Sequence, residues 1–246
     1  MPTVPWRGTI AAIRPMLATL EEAPLHASGL VYEPKYDGIR ALIEITPRQR
    51  TPVCIWSRLG NDKTAQFPDI VAALARPART LRAPLVLDGE IVALDEHGEP
   101  AGFQRLQDRI HLTEANSQTA TGRVAFIAFD VLRDGSEDLR PLPFVERRAR
   151  LERLMKAFRS PIVRISDVVP QDGRALYQRA LDHGWEGLIA KDARSVYHTG
   201  KRTRDWRKLK IVQEQELVVG GWTEARTAGR AFGALLLGYY EDGHLK

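Results

Sequence analysis

The sequence predicts an α+β fold in which antiparallel β-sheets are flanked by helices. Two observations support this class. Several segments with strand-like alternation follow one another without an intervening helix, which favours antiparallel pairing over a doubly wound parallel sheet. The helical segments between them carry apolar residues on one face only, as helices that cover a sheet do. At 246 residues the chain is long enough for one large domain or two smaller ones.

The predicted elements are short and are recognised by the period of their apolar residues. Alternating or β-branched segments predict strands, and a repeat of three or four residues predicts helices. The strand candidates are Arg40–Thr46, Val53–Ser57, Leu85–Leu94, Arg123–Leu132, Ile162–Ile165 and Gly187–Ala190. The helix candidates are Thr64–Ala75, Phe103–Ile110, Pro143–Phe158 and Arg174–His183, the last ended by Gly184.

The C-terminal segment has a different pattern. Glu216–Trp222 and Ala234–Tyr240 are predicted strands, and Glu241-Asp242-Gly243 is a hairpin turn signal. The sequence stops at Lys246, inside the returning strand, and a hairpin with one arm is not a stable unit. We therefore expect the sequence to be the first part of a longer protein, cut inside a second β domain.

Composition and charge narrow the classes of function. The formal net charge of +5 suits a polyanionic partner such as DNA, RNA or a nucleotide. The sequence has no run of eighteen apolar residues, and its N-terminus matches a signal peptide poorly, so no membrane association is expected and the cytoplasm is the expected location. The single cysteine, Cys54, excludes an internal disulfide and a zinc site built on several cysteines.

The stretch YEPKYDGIR, residues 32–40, places Lys35 where a strand-like run ends in a turn. A solvated surface lysine is the commonest explanation, and Asp37-Gly38 is an ordinary hairpin signal. A nucleophile is the alternative, because partial burial and neighbouring cations lower the pKa of a lysine from about 10.4 and leave more of the amine deprotonated. A nucleophilic lysine that attacks phosphorus should be accompanied by other cations, carboxylates for a divalent metal and an aromatic ring that holds a base.

Residues of these types do occur at further predicted strand ends. They are Ser57-Arg58-x-Gly60-Asn61, Asp88-Gly89-Glu90 with its carboxylate after a turn glycine, Phe126-x-x-Phe129-Asp130, Glu186-Gly187-x-x-x-Lys191, and Trp206-Arg207-Lys208-Leu209-Lys210, in which alternation places both lysines on one face. Taken singly, each has an ordinary structural explanation as a turn, a core position or a solvated face, and the basic segment Arg147–Arg153 is interpreted as a charged helix face. Their joint occurrence favours a nucleotide site.

The same segments resemble, in order, the nucleotidyltransferase motifs of ATP-dependent DNA ligases. The resemblance runs from Lys35 to Lys210. Three segments are most similar in sequence to bacterial end-joining ligases: DGEIVALDEHGEPAGFQRLQ, SRLGNDKTAQFP and FGALLLGYYEDG. It implies an ATP-grasp-like adenylation domain over residues 1–213 and the beginning of an OB-type β-barrel domain over residues 214–246. It also implies that a lysine takes AMP from ATP, passes it to the 5′-phosphate of a DNA nick or break, and seals the strand.

The resemblance further implies a role for each matching residue. Lys35 would be the nucleophile that carries AMP, and Glu186 and Asp37 would hold Mg²⁺ or Mn²⁺. Arg40 and Arg58 would contact ribose or phosphate. The remaining nucleotide-binding residues would be Glu90 on the ribose hydroxyls, Phe129 stacked on adenine, Glu33 near the adenine edge, and Lys191, Lys208 and Lys210 on the α-phosphate and pyrophosphate.

The implied partners are nicked or broken double-stranded DNA, a Ku-like end-binding protein, and polymerase or nuclease modules fused in the full-length parent; the chain itself is expected to be a monomer. Because residues 214–246 cover only the opening of an OB-type domain, the chain is expected to bind ATP but to seal nicks poorly. Three alternatives stay open: an mRNA capping guanylyltransferase that uses GTP, an RNA ligase, and a non-catalytic nucleic-acid-binding module. An NAD-dependent ligase is disfavoured, since no extra N-terminal subdomain or cysteine zinc module is visible.

Overall fold

The computed structural model describes residues 10–107, 123–158, 160–211, 216–225, 229 and 231–246, and it divides into two units, Met1–Ile211 and Val212–Lys246. In chain order the strands are β1 Leu17–Thr19, β2 His26–Pro34, β3 Ile39–Ile45, β4 Val53–Ser57, β5 Leu85–Leu94, β6 Pro100–Ala101, β7 Arg123–Asp134, β8 Glu137–Asp138, β9 Val163–Ile165, β10 Val169–Asp172, β11 Gly187–Asp192, β12 Arg202–Lys210, β13 Val218–Trp222, β14 Leu235–Gly238, β15 Tyr240–Glu241 and β16 His244–Leu245.

The strands in the described part of the larger unit form two β-sheets. One has five strands in the order β1-β12-β11-β2-β10, and the other has seven, in the order β4-β3-β5-β7-β8 with β6 beside β5 and β9 beside β7. Neighbouring strands pair antiparallel except for β1 with β12 and β7 with β9. The predicted α+β class with antiparallel sheets is therefore confirmed. Strands β4 and β5 have the predicted bounds, and β7 and β11 each run two residues further than predicted.

Three α-helices lie in the described part of the larger unit: α1 Pro68–Ala78, α2 Phe144–Met155 and α3 Arg174–Asp182. Helix α1 begins at Pro68, whose fixed φ suits a first helical position, and the predicted start at Thr64 is a separate 3₁₀ turn, Thr64–Gln66. The predicted helix from Phe103 to Ile110 contains the 3₁₀ turn Phe103–Leu106, and residues 108–110 lie outside the described residues.

The apolar residues of the larger unit arrange its elements in layers. Helices α1 and α2 contribute Ile70, Leu74, Leu151 and Met155 to the main core, on the outer face of the seven-stranded sheet. Helix α3 contributes Leu176 and Ala180 to a cluster on the outer face of the five-stranded sheet. Between the sheets, a smaller cluster joins Leu42, Val86 and Leu132 of one sheet to Ala18 and Trp206 of the other. The inner faces of the two sheets therefore meet.

The interpretation of Asp88-Gly89-Glu90 as a turn is wrong. All three residues lie inside β5, and Gly89 occurs there because a Cβ atom at this position would overlap with the ring of Phe126 and the carbonyl oxygen of Ile127. A glycine within a strand can mark such a close approach as well as a turn. The consequence is that Glu90 projects from the middle of a rigid strand.

The interpretation of Arg147–Arg153 as a solvated helix face is wrong for its first two residues, Arg147 and Arg148, which are buried. The Nε and Nη2 atoms of Arg147 donate hydrogen bonds to the two carboxylate oxygens of Asp130 at 2.9 and 2.8 Å. Its Nη1 donates to the carbonyl oxygens of Leu142 and Ser195 at 2.6 and 2.9 Å. A guanidinium can be buried when a carboxylate and carbonyls satisfy it, and a charged sequence pattern does not reveal that partner.

The described residues of the smaller unit form two two-stranded sheets, β13 with β14 and β15 with β16. The predicted turn joins β15 to β16, and Asp242 and Gly243 both have positive φ, at 51° and 79°. Two central residues of this kind define a type I′ hairpin, for which Asp-Gly is a favoured pair. Among the helices that the structure describes, none is long and apolar enough to cross a membrane.

Candidate active site

Strand register brings the predicted lysines and Glu33 onto the inner face of the five-stranded sheet. Residues directly opposite each other on neighbouring strands point to the same face. The backbone N–H of Lys35 donates to the carbonyl oxygen of Gly187 at 2.9 Å, which continues the pairing of β2 with β11 by one residue. The result is three adjacent rows across β2, β11 and β12: Lys35–Gly187–Lys210, Glu33–Ile189–Lys208 and Val31–Lys191–Trp206.

Gly187 is required in the first of these rows. Its φ of 125° lies in a region that side-chain-bearing residues rarely adopt, and a Cβ atom would overlap with the carbonyl oxygen of Leu209. The close approach of β12 to β11 at this point therefore depends on glycine. It also leaves the space beside Lys35 free of a side chain.

Lys35 is mostly buried, and its Nζ forms an ion pair with the carboxylate of Glu186. Burial lowers the pKa of Lys35, and the positive charge of Lys208 lowers it further, while Glu90 and Asp37 oppose the shift. The environment therefore increases the fraction of deprotonated amine at a given pH. A free lysine on the surface would not have this property.

Arg40 and Glu90 face Lys35 from the seven-stranded sheet, where β3 and β5 pair them directly. Arg40 is fixed by Asp88, whose two carboxylate oxygens accept from its Nε at 2.6 Å and its Nη2 at 2.7 Å. The hydroxyl of Tyr197 also donates to Asp88 at 2.6 Å, and it accepts from the backbone N–H of Met16 at 2.9 Å. Two parallel bonds to a buried carboxylate hold a guanidinium in one orientation.

Glu90 is a carboxyl group whose proton is held tightly. Burial raises its pKa to about 8, and the nearby charge of Asp88 adds to the increase, while Arg40 and Lys35 oppose it. The group is therefore largely protonated at neutral pH in this structure. A protonated carboxyl can donate a hydrogen bond as well as accept one.

Phe129 projects into the space between the sheets because of a β-bulge. Asp88 pairs with Asp130 and Gly89 pairs with Ala128, so Phe129 is the extra residue on β7. Bulges re-aim side chains in this way and occur often beside active sites. The guanidinium of Arg40 lies 4.5 Å from the centre of the Phe129 ring, and the Nζ of Lys191 lies 4.7 Å from it.

Lys191 and Glu33 form a buried ion pair beneath this space. The Nζ of Lys191 lies 2.7 Å from Oε2 of Glu33, and both side chains are at most 3% exposed. Burial lowers the pKa of Lys191 and raises that of Glu33, and the pairing of the two groups opposes both shifts. Lys191 also lies 4.2 Å from the Trp206 ring and 4.6 Å from the Phe144 ring, so aromatic faces surround its charge.

The cleft between the sheets collects most of the predicted site residues. Eight of them line it together, with Trp206, Arg202 and Ile189 as further lining residues: Glu33, Lys35, Arg40, Arg58, Glu90, Phe129, Lys191 and Lys208. The other three lie at its margins. Asp37 and Glu186 line an adjoining cavity on the other side of Lys35, and Lys210 is exposed in a groove that it shares with Lys208.

The predicted metal residues are Glu186 and Asp37. No group of three His, Cys, Asp or Glu side chains that could hold a metal exists among the described residues. A metal ion that is coordinated mainly by nucleotide phosphates needs only one or two protein carboxylates as further ligands. Glu186 offers one beside Lys35, and one oxygen of Asp37 accepts the backbone N–H of Phe103 at 2.8 Å. The residues therefore fit a phosphate-bound ion and not a protein-only metal centre.

Sequence reasoning missed the groups that support the cleft. Asp88 and Tyr197 lie 109 positions apart and meet only in the fold, and the pairing of Asp130 with Arg147 is equally invisible in the sequence. In the sequence, Trp206 is distinguished only as part of a basic strand. The one available signal was the alternation of β12, which places Trp206 on the same face as Lys208.

A family model described as ATP dependent DNA ligase domain matches residues 15–210. The chain therefore belongs to this family of ATP-dependent DNA ligase domains.

The chain is also similar to individual proteins, in sequence and in structure. The chain is 38% identical over 228 residues to the multifunctional non-homologous end joining protein LigD of Pseudomonas aeruginosa, and 37% identical over 237 residues to the LigD of Mycobacterium tuberculosis. These matches cover 93% and 95% of the chain but only 25% and 29% of the relatives. A mycobacterial DNA ligase D structure, complexed with ATP and MES, superimposes with a TM-score of 0.68 at 34% identity, over 97% of this chain and 72% of that one.

Proposed function

We propose that this chain is the catalytic adenylation domain of a bacterial end-joining DNA ligase, with residues 1–213 as that domain and residues 214–246 as the beginning of an OB-type domain. The observation that carries the proposal is the setting of Lys35, a lysine with a lowered pKa at the mouth of a cleft lined by arginines, carboxyls and an aromatic ring. Membership of an ATP-dependent ligase family and the likeness to the LigD proteins support it.

In the proposed first step, the deprotonated Nζ of Lys35 attacks the α-phosphorus of ATP. A P–N bond forms, the bond from the α-phosphorus to the bridging oxygen breaks, and pyrophosphate leaves while the amine gives up a proton to solvent. The lowered pKa of Lys35 favours this step because only the neutral amine is a nucleophile. The product is an AMP group bound covalently to Lys35.

The cations of the cleft would bind the phosphates. We assign these contacts to Arg58, Lys208 and Lys210, which lie on the cleft or on the groove beside it. Because charge increases on the leaving pyrophosphate, fixed cations stabilise the transition state more than they stabilise bound ATP. Lys191 is buried against Glu33, and we assign it a supporting role in place of a direct phosphate contact.

The remaining lining residues would hold the nucleoside. Phe129 offers an aromatic ring for the adenine, Glu33 offers a carboxylate oxygen near the base, and Arg40 and Glu90 form the opposite wall, where the ribose hydroxyls would bind. Glu186 and Asp37 would hold a Mg²⁺ or Mn²⁺ ion, which would neutralise phosphate charge.

Two further steps would complete strand sealing. The 5′-phosphate of a DNA nick or break would attack the phosphorus of lysyl-AMP and free Lys35, and the 3′-hydroxyl would then displace AMP to form the phosphodiester bond. The net positive charge suits DNA as the second substrate. A DNA substrate would place the protein in the cytoplasm with the nucleoid, and a Ku-like end-binding protein and fused polymerase or nuclease modules are the partners proposed for the full-length protein.

Intact-mass measurement of the purified chain tests the first step. We expect the mass to rise by one AMP on addition of ATP and Mn²⁺, and we expect no rise in Lys35→Ala. GTP and NAD are offered in parallel, since labelling by GTP alone would favour a capping-type guanylyltransferase. An unchanged mass with folded, nucleotide-exposed wild-type protein would favour a nucleic-acid-binding module. Transfer of labelled AMP to a nicked duplex, compared with a nicked RNA, then tests the second substrate.

A further inference from the structure

A closed ring of hydrogen bonds joins the two walls of the cleft. The bonds between Arg40 and Asp88 of the seven-stranded sheet are its first link, and the Nη2 of Arg40 also donates to the carbonyl oxygen of Met16 at 3.3 Å. The backbone N–H of Met16 donates to the hydroxyl oxygen of Tyr197 at 2.9 Å, and that hydroxyl donates to Oδ2 of Asp88 at 2.6 Å. Met16 lies directly before β1 and Tyr197 lies between β11 and β12, so the ring connects the seven-stranded sheet to segments that adjoin the five-stranded sheet.

Of the residues in this ring, Arg40 alone lines the cleft. Met16 and Asp88 are fully buried, and Tyr197 is 4% exposed. The ring uses the Nε and Nη2 atoms of Arg40, and within the part of the chain that the structure describes its Nη1 donates no hydrogen bond. The guanidinium therefore keeps one nitrogen, with its N–H donors, for a ligand.

The hydroxyl of Tyr197 removes a freedom that the ion pair alone would keep. Two parallel bonds fix Arg40 relative to Asp88, but both partners are side chains, and the pair could still turn together about its own torsions. Tyr197 is anchored independently, because its backbone N–H donates to the carbonyl oxygen of Arg140 at 2.8 Å and its ring packs edge-on against Trp206. Burial and the charge of Asp88 raise the pKa of Tyr197 well above its ordinary value, so the hydroxyl keeps the proton that it donates.

We propose that Tyr197 is a positioning residue of the cleft: its hydroxyl fixes the Arg40–Asp88 pair to the opposite wall and thereby directs the Nη1 of Arg40 at a ribose hydroxyl of the nucleotide. The inference rests on the proposed function, which places the ribose at Arg40 and Glu90, and it adds a group that does not itself touch the nucleotide. Arg40 and Glu90 are paired directly across β3 and β5, so both face the same part of the ligand. A donor that is held in place before binding loses less entropy when it meets its acceptor.

Ribose analogues test the direction of Arg40 in the wild-type protein, where no variant has to fold. The measured quantity is the second-order rate constant for covalent labelling of Lys35 by ATP, 2′-deoxy-ATP and 3′-deoxy-ATP. We expect one of the two analogues to label about tenfold more slowly than ATP, because it leaves the Nη1 of Arg40 without an acceptor. Equal rate constants for ATP and both analogues would overturn the proposal.

Tyr197→Phe removes only the hydroxyl oxygen and keeps the ring. We expect the ATP concentration for half-maximal labelling to rise about five- to tenfold and the maximal rate to change less than about twofold, because a ribose contact binds the ground state and the transition state equally. The penalty for the sensitive deoxy analogue should fall from about tenfold to about threefold or less. An unchanged penalty would overturn the proposal, since a loss of packing does not depend on a ribose hydroxyl.

Tyr32→Phe is the matched control. Tyr32 is also buried, and its hydroxyl donates to the carbonyl oxygen of Pro24 at 2.5 Å, but it packs on the outer face of the five-stranded sheet and does not line the cleft. We expect Tyr32→Phe to lower stability in urea and to leave the half-saturating ATP concentration and the analogue penalty unchanged. The same change of both quantities in the two variants would overturn the specific role of Tyr197.

A double variant tests whether Tyr197 acts through Arg40. Arg40→Lys keeps a cation but cannot make two parallel bonds to Asp88. Adding Tyr197→Phe to it should cause no further loss of ATP affinity, whereas additive losses would refute the route through Arg40. Equilibrium binding to Lys35→Ala forms of these proteins measures affinity without the covalent step.

The same binding experiment separates this proposal from the proposed function. A wild-type protein that takes no label, beside a Lys35→Ala form whose ribose penalty falls when Tyr197→Phe is added, would reject the proposed function and support the positioning role. Labelling of the wild type by ATP, with an equal ribose penalty in Tyr197→Phe, would keep the proposed function and reject the positioning role.

Discussion

Arg147 connects helix α2 to the strand that carries Phe129, and its removal provides a quantitative test of how the cleft is supported. Arg147→Met deletes two hydrogen bonds to Asp130, at 2.9 and 2.8 Å, and two to backbone carbonyls, at 2.6 and 2.9 Å. Asp130 then remains fully buried without its cation. Removing one member of a buried ion pair costs about 3–5 kcal/mol, because the other charge stays desolvated.

This cost is large enough to measure by urea unfolding and by thermal melting. For a chain of this size each kcal/mol corresponds to about 2–4 °C, so the melting temperature should fall by about 6–20 °C. Arg150→Met on the same helix is the control, because Arg150 pairs with Asp134 and Glu137 at 21–29% side-chain exposure. Such partly exposed pairs contribute about 0–1 kcal/mol.

A buried ion pair of this cost is contradicted if Arg147→Met destabilises the protein no more than Arg150→Met does. A second result checks the assigned cause. The double variant Asp130→Asn with Arg147→Met leaves no buried charge unpaired, and we expect it to regain part of the stability lost in the single variant. If the double variant is less stable by the sum of both single losses, the cost lies in packing and not in the unpaired charge.

Two further predictions follow from the same cleft. Because the pKa of Glu90 is raised from 4.5 to about 8, the folded state keeps a proton that the unfolded state loses, so stability falls as pH rises from 5 to 8. In urea titrations Glu90→Gln should gain stability relative to wild type across that range, and a constant difference would contradict the prediction. Gly187→Ala should reduce lysine adenylation more than tenfold by displacing β12 near Lys35, as measured by intact mass. Gly184→Ala, whose Cβ meets open space, should cost only about 1–2 kcal/mol in stability, as measured by urea unfolding. Equal losses of adenylation and of stability in the two variants would argue against the clash at Gly187.

The parts of the fold that the sequence predicts well are those with a dense local run of strand-forming residues. Val53–Ser57 (VCIWS) and Leu85–Leu94 (LVLDGEIVAL) have the predicted bounds because both are rich in apolar and β-branched residues. The predictions from sequence are wrong where one residue type is compatible with two structural roles. Gly89 marks the close approach of a neighbouring ring instead of a turn, and Arg147 is charged but buried, because the residues that decide both cases are distant in the sequence.

The same distinction applies to the candidate site. Lys35, Glu90 and Lys208 could be selected because chemically suitable side chains recur on or directly beside successive predicted strands, and all three line one cleft in the structure. Asp88 and Tyr197 could not be selected, since the pairing of an aspartate with a tyrosine 109 residues away has no local pattern. The sequence thus indicates the groups that would touch a nucleotide better than the groups that hold them in place.

The attachment of Lys35 to the sheet has a consequence for any nucleotide that it carries. Its backbone N–H is fixed to Gly187 by a hydrogen bond of 2.9 Å, while its Nζ remains at the end of a flexible stem of four carbons. An AMP group attached covalently to that side chain would have a high effective concentration at the mouth of the cleft and almost none elsewhere. In the proposed mechanism, the 5′-phosphate of the DNA would therefore have to enter the cleft, because AMP on Lys35 could move no further than the side chain reaches.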